Sequence, residues 1–490
     1  MLAKTDKTEK FEQPISCDAT QPLVPASKVF GALSFALDLT DGQPMGHSMQ
    51  TCLIGMRIGQ ALGLSPVTLC DLYYSLLLKD AGCSSNASKL FHLIQSDEIQ
   101  AKRSLKDRDW TKQGMEQLRY AVKNIAVGRP FFERITRFIQ IAKQPPQTGE
   151  LYAIRCERGA SIARRLGFSA DVSLAIASLD EHWNGQGYPM RIAGAEIPLL
   201  SRIMNLSQCA AIFWTIGGSK AAADVMKRRC GRWFDPELVK AALALTRQNE
   251  LFQGLDDRDL VYAIAALEPV GLQLHLDDEG VDAICTAFSE VIDTKSPFTY
   301  RHSAGVAKAA VATGRQLGFG EAKLVQLRRA GLLHDIGKLA VPNSILEKPG
   351  KLDAAEWEIV KKHPFYTREI LRQVPGFEDL SDIAASHHER LDGRGYFRGL
   401  CAQDLSLEAR LLAVSDVYDA LAAARPYRKA LPREEVFSIM GRDAPHALDI
   451  DCLEALKAAP EAEVVLSAET QYILETEPPQ SSPYLAPQFA

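Results

Sequence analysis

A chain of 490 residues with 46% hydrophobic and 24% charged side chains has the length for roughly two to four domains and ample material for buried cores. Its net charge of −5 argues against a nucleic-acid-binding surface, which needs a basic face, but leaves room for a small anion held by a local cluster. Ten cysteines with no C-x-x-C pair argue against a zinc knuckle or disulfide framework and point to a reducing, cytoplasmic setting, and no apolar run of about 18 residues offers a membrane span.

Residues 1–25 are polar, with scattered prolines and too much charge for a signal peptide, and are expected to be flexible. From about Val29, apolar residues recur at three- and four-residue spacing, which predicts helices. Long alternating β-branched runs are absent, so the expected fold class is all-α: two tandem helical bundles. The first unit is expected over 26–250 and contains His47, LLKDAGC (77–83), SLDEHWNGQGYP (178–189) and NLSQCAA (205–211). Residues 87–150 read as an insertion in it, with the charged stretch AKRSLKDRDWTKQG (101–114) as an exposed helix or loop. Residues 251–285 read as a partly helical linker. The second unit is expected over 286–460 and contains His302, LLHDIGK (332–338), His363, SHHERLDGRGYF (386–397) and SDVYDAL (415–421). Residues 461–490, with PPQSSP, are expected to be a disordered tail.

The two units are copies of one design. His302 and His334 follow His47 and Lys79 by 255 residues, whereas Glu389, Arg410 and Asp416 follow Glu181, Arg202 and Gln208 by 208. The offset falls by 47, so the first copy holds that many extra residues between Cys83 and Arg155. A period above 200 residues means duplicated domains rather than a solenoid.

Only the second copy keeps the polar residues. Leu324, Leu327, Gly331, His334 and Lys338 recur at steps of three and four, so His334 continues an apolar stripe. His302 aligns with Val306 and Ala309, and Asp416 with Ala409 and Leu412; Ile383 and Ala384 lead to His387 and His388. A single inward histidine is commonly a hydrogen-bonded core residue. Five imidazoles and two carboxylates aimed inward together are costly unless a cation compensates. Mixed nitrogen and oxygen donors suit iron or manganese better than calcium or magnesium, and seven donors suit two ions with Asp335 as a bridge.

The strings HDIGKLAVPNSILEKPGKL, HHERLDGRGY and DVYDALAAARPYR make residues 293–456 resemble an HD-GYP domain, the bacterial branch of the HD metal-dependent phosphohydrolases. The resemblance implies an all-α core with an iron or manganese centre and hydrolysis of cyclic di-GMP to pGpG and/or GMP. By matched positions the metal ligands would be His302, His334, Asp335, His363, His387, His388 and Asp416. Lys338 would face the scissile phosphate. Arg425 and Arg428 would hold substrate phosphates, with Gly395 and Tyr396 beside them. Two ions would lower the pKa of a shared water so that hydroxide attacks phosphorus, with Asp335 orienting it and Lys338 stabilising charge. Arg425 and Arg428 would supply forked donors.

Two departures from the family pattern matter. Phe397 replaces the proline that ends the family's name motif, which frees the backbone angle that proline would fix. Phe298 stands where members with three metals carry an acid, which favours two ions.

In the first copy Lys79 replaces His334, Cys83 replaces Lys338, Arg155 replaces His363, Leu179 and Asp180 replace the paired histidines, and Gln208 replaces Asp416. Only His47 and Asp80 survive, too few for a binuclear centre, although Gly187-Tyr188-Pro189 remains. This copy reads as a degenerate scaffold, dimerisation surface or regulatory ligand site, with Lys79 and Asp80 as a buried ion pair. The leading functional expectation is a cyclic di-GMP phosphodiesterase. The alternatives are a non-catalytic regulator that binds the dinucleotide or a diguanylate cyclase (GGDEF) protein, and a phosphohydrolase of another cyclic nucleotide such as cyclic GMP-AMP.

Overall fold

The computed structural model describes residues 23–106, 108–109, 115–143, 148–256, 260–423 and 429–466. Helices dominate, as the periodicity predicts. The sole named strands among the described residues are Val24–Pro25 and His275–Leu276, paired antiparallel. No helix of the described residues is long and apolar enough to cross a membrane.

The duplication is visible in matching local devices. Helices Ala26–Thr40, His47–Ala61 and Pro66–Leu78 of the first copy correspond to Asp278–Asp293, His302–Gln316 and Glu321–Leu333 of the second. In both copies a buried aspartate closes the first helix onto the second. Asp38 Oδ1 accepts from Ser48 Oγ at 2.6 Å, and Asp293 Oδ1 from Ser303 Oγ at 2.7 Å. In both, a buried glutamate gathers the backbone of the following loop. Glu181 accepts from Met190 N at 2.6 Å, and Glu389 from Arg398 N at 2.7 Å. Arg202–Asp235 in the first copy matches Arg410–Asp449 in the second, at 2.7 and 2.9 Å.

Glycines set two equivalent close approaches. A Cβ on Gly82 would lie 1.9 Å from the Arg155 carbonyl oxygen, and one on Gly337 would lie 2.0 Å from the His363 carbonyl oxygen. Each glycine therefore lets the turn after the Asp80 or Asp335 position press against the helix that supplies the 155 or 363 position.

The copies share one apolar core. Leu33 and Leu37, on Ala26–Thr40, belong to the same buried cluster as Leu339 and Ile370. That helix packs against both the 3-10 segment Ile336–Ala340 and helix His363–Leu371. Glu98, on helix Glu98–Lys106, is fully buried between the copies. It accepts from the Asn343 amide at 2.9 Å, with the Lys295 ammonium 3.7 Å away. The insertion thus contributes structure at this interface. The expectation of an exposed stretch over 101–114 needs correction at its start: Ala101, Lys102 and Ser104 are buried, because this helix packs under the first copy, while residues 107 and 110–114 lie outside the described residues.

Candidate metal centre

The seven sequence-picked donors come from five separate elements that the fold brings to one point. His302 opens helix His302–Gln316, and His334 follows helix Glu321–Leu333, with Asp335 next to it. His363 opens helix His363–Leu371, His387 and His388 follow Glu378–Ala385, and Asp416 lies within Leu407–Ala422. Six of the seven are buried; His388 is part-exposed at the mouth. Three overlapping groups have donor atoms mutually within 4.8 Å: His363–His387–His388, His302–His334–Asp335 and His334–His387–Asp416.

Asp335 lies between these groups. Its Oδ2 is 3.3 Å from His334 Nε2 and 3.7 Å from His302 Nε2, while its Oδ1 is 3.5 Å from both His363 Nε2 and His387 Nε2. Asp416 Oδ1 closes the first side, 3.0 Å from His302 Nε2. Lys338 Nζ is 2.6 Å from Asp335 Oδ2 and only part-exposed.

Hydrogen bonds from the other ring nitrogen fix which atom each imidazole presents. Nδ1 of His334, His363 and His387 faces the backbone carbonyl three residues earlier, at 2.8, 2.7 and 2.6 Å. A carbonyl can only accept, so each Nδ1 carries a proton, and whenever the ring is neutral Nε2 is the atom that presents a lone pair inward. His302 Nδ1 is held by Asp419 Oδ2 at 2.7 Å.

These residues fit a divalent metal. His363 Nε2 and His387 Nε2, both lone-pair atoms by this reasoning, lie 3.1 Å apart with no proton to share. Two facing lone pairs repel unless a cation sits against them. His334 Nε2 and Asp335 Oδ1 are buried without a hydrogen-bond partner among the described residues, which is costly for a site with no ion. Burial lowers His363 and His388 well below the usual imidazole value, keeping them neutral. Burial also opposes charge on His302 and His334, yet the carboxylates outweigh it. Asp416 and Asp419 lift His302 to about 9, and Asp335 and Asp416 lift His334 to about 10. Without metal, protons on these two rings balance Asp335 and Asp416; metal cations would take over that role.

Asp419 is the functional candidate that motif reading passed over. It lies one helical turn after Asp416, a spacing visible in DVYDAL, but its partner His302 is 117 residues away. Its approach needs a bare backbone: a Cβ on Gly305 would lie 1.9 Å from Asp419 Oδ1. Thr367 is a second such residue, accepting from Gly337 N at 3.1 Å and donating to the His334 carbonyl at 2.9 Å.

Tyr396 lies over the centre, its ring 4.6 Å from that of His388, with exposed Trp357 5.5 Å beyond. Gly395 rests against the backbone instead, since a Cβ there would lie 2.8 Å from the His388 carbonyl oxygen. Phe397 faces Phe365 at 6.3 Å, away from the donor cluster. Arg425 and Arg428 lie outside the described residues.

In the first copy, ammonium groups occupy the corresponding place. Lys79 pairs with Asp80, both fully buried, and Lys106 pairs with Asp41. Arg155 pairs with Asp180. Asp41, Asp80 and Cys83 could group as metal donors by distance, but the Lys79 and Lys106 amines already lie against the Asp80 and Asp41 carboxylates.

The HD domain family profile matches residues 146–238 and 286–451, taking in both copies. The chain is 43% identical over 440 residues to the 3'3'-cGAMP-specific phosphodiesterase 3 of Vibrio cholerae, covering 90% of this chain and 95% of that one. The chain belongs to the HD domain family. A crystal structure of a cyclic GMP-AMP-specific phosphodiesterase from V. cholerae superposes with a TM-score of 0.63 at 38% identity, over 91% of this chain and all of that one. A cyclic di-GMP phosphodiesterase of Pseudomonas aeruginosa is 45% identical over 141 residues, 28% of this chain and 34% of its own. The HD domain in this chain thus spans two segments, and the donor cluster lies in the second.

Proposed function

We propose that this HD domain protein is a metal-dependent phosphodiesterase that opens 3'3'-cGAMP, with the second copy as its catalytic unit. The observation that carries the metal reading is Asp335, whose two oxygens face two different sets of imidazoles. The substrate reading rests on the whole-chain similarity to a relative named for 3'3'-cGAMP. This revises the sequence expectation, which put cyclic di-GMP first. Relatives named for that nucleotide match shorter parts of the chain, 28% for the one from P. aeruginosa and 41% for one from Thermotoga maritima.

His302, His334, Asp335, His363, His387, His388 and Asp416 would hold two divalent ions, with iron or manganese suited to the donor set. When bound, such ions supply Lewis acidity and acidify water. Hydrolysis forms a bond from water oxygen to phosphorus and breaks the bond to one ribose oxygen, which leaves protonated. Lys338, anchored by Asp335 at the mouth, is placed to bind a non-bridging phosphoryl oxygen as charge grows there. Tyr396 shields the imidazoles from bulk water, and Trp357 beside it offers a face for a nucleobase. Arg425 and Arg428 are proposed phosphate contacts on the strength of the motif.

The test is anaerobic purification with elemental analysis, followed by chromatography of 3'3'-cGAMP and cyclic di-GMP reactions. Expected are about two transition-metal ions per chain and a kcat/KM at least tenfold higher for 3'3'-cGAMP. A metal-loaded chain that turns over neither nucleotide would overturn the enzyme reading. Faster cyclic di-GMP hydrolysis would overturn the substrate assignment.

A further inference from the structure

The first copy contains a cavity of about 410 Å³ at the place where the second holds its donor cluster. Arg155, Asp180 and Gln208, the counterparts of His363, His388 and Asp416, line its floor. The insertion supplies the roof: Leu90, Leu93, Ile94, Ile125, Phe138 and Ile141. The lost metal site has therefore become a roofed chamber with a polar floor and an aliphatic ceiling. Its size lies within the usual range for small-molecule pockets.

Charge in the wall is unbalanced. Lys106 and Arg155 have carboxylate partners in Asp41 and Asp180. Lys102 and Arg229 do not. Lys102 is 7% exposed and donates to the Cys83 carbonyl at 2.5 Å. Arg229 is 2% exposed; it meets the Cys209 thiol at 3.2 Å and the Arg108 carbonyl at 2.8 Å, and stacks 3.8 Å over Trp233. Neither has a carboxylate partner among the described residues. Burial pushes the Lys102 ammonium below its usual range, with Glu98 and Asp80 opposing this from beyond ion-pair distance, so an anion that joined Lys102 and Arg229 would offset the cost of burying them.

The apolar end has a way out. An adjoining cavity of about 150 Å³ shares Ala121, Ile125 and Phe138 with the first and reaches Phe131 on an exposed apolar helix, Phe131–Lys143. An aliphatic tail could enter along this side.

We propose that the first copy binds a small amphipathic anion: a carboxylate or phosphate monoester near Arg229 and Lys102, with an aliphatic body under the insertion. A cyclic dinucleotide fits this chemistry poorly. Any base edge or ribose hydroxyl lying under Leu90, Leu93, Ile94 and Ile141 would face aliphatic side chains and lose its hydrogen bonds.

The test is isothermal titration calorimetry on the full, metal-loaded chain with n-decanoate and n-decyl phosphate. Neutral n-decanol, GMP, AMP and 3'3'-cGAMP are the comparison ligands. One alkyl anion should bind one per chain, at least tenfold more tightly than n-decanol, and the tighter of the two identifies the head group. Arg229→Met and Lys102→Met should each weaken it tenfold or more, and Ile125→Trp, which fills the tail end, should remove it. Thermal melts establish that each variant is folded. The proposal is overturned if neither alkyl anion binds, if n-decanol binds equally well, if a nucleotide displaces them from this cavity, or if either cation variant binds unchanged.

Discussion

Lys79 stands in the first copy where His334 stands in the second, and its ammonium pairs with Asp80 in full burial. Replacing it with an apolar residue orphans a carboxylate. Lys79→Met should therefore lower stability by about 3 kcal/mol, and Lys79→Met with Asp80→Leu should recover most of it, as read by urea denaturation. An equally unstable double variant would contradict the ion-pair account. In the second copy, Asp419→Asn should loosen the orientation of His302 and weaken metal binding by about 10–100-fold while the fold persists, measured by chelator competition. Asp38 carries a pH signature. Burial pushes its carboxyl up to about 7, above the unfolded value of 3.8. The folded state thus holds a proton that the unfolded chain releases first. The resulting stability is fully present below about pH 4 and is lost as pH rises to about 7. Asp38→Asn should flatten the fall in Tm across that window, and an unchanged slope would refute the assignment.

Among the elements, the turn after Asp335 and the helix His363–Leu371 are set by contact through Gly337. A methyl group there would meet the His363 carbonyl at 2.0 Å, and backbone cannot yield as a flexible side chain does. Gly337→Ala should displace the His363 helix and lower both bound metal and turnover by tenfold or more, measured by elemental analysis beside the assay. Normal metal content would show that the helix is not positioned this way. The amphipathic pattern was enough to predict helices here. It could not predict that the helix from Glu98 to Lys106 is wedged under the first copy, because its charges suggested a solvated surface. Burial of Lys102 and Glu98 is supported by partners far along the chain: the Cys83 carbonyl, the Asn343 amide and Lys295.

In the molecule as a whole, the two copies behave as one packed body because their cores merge through helix Ala26–Thr40. Glu98 is the polar part of that junction. Glu98→Ala would leave the Asn343 amide buried without its acceptor and the Lys295 ammonium, still bonded to the Leu339 carbonyl, without its carboxylate counter-charge, costing about 3 kcal/mol. Calorimetry should show a lower Tm with the two copies still unfolding in one transition. Two separated transitions would mean that the merged core does not couple them. The degenerate copy is thus built into the support of the one that holds the donor cluster.

The sequence by itself determined the duplicated plan, the helical class and seven candidate donors. Offsets, periodicity and residue chemistry are local properties, readable without contacts. Tertiary structure decided how those candidates are arranged: which imidazole nitrogen faces inward, that Asp335 lies between two groups, and that Asp419 holds His302. It also decided that lysines close the first copy's site and that the insertion roofs a cavity over it. Each of these depends on pairs far apart in the chain, and only the packing of helices against one another brings such pairs within reach.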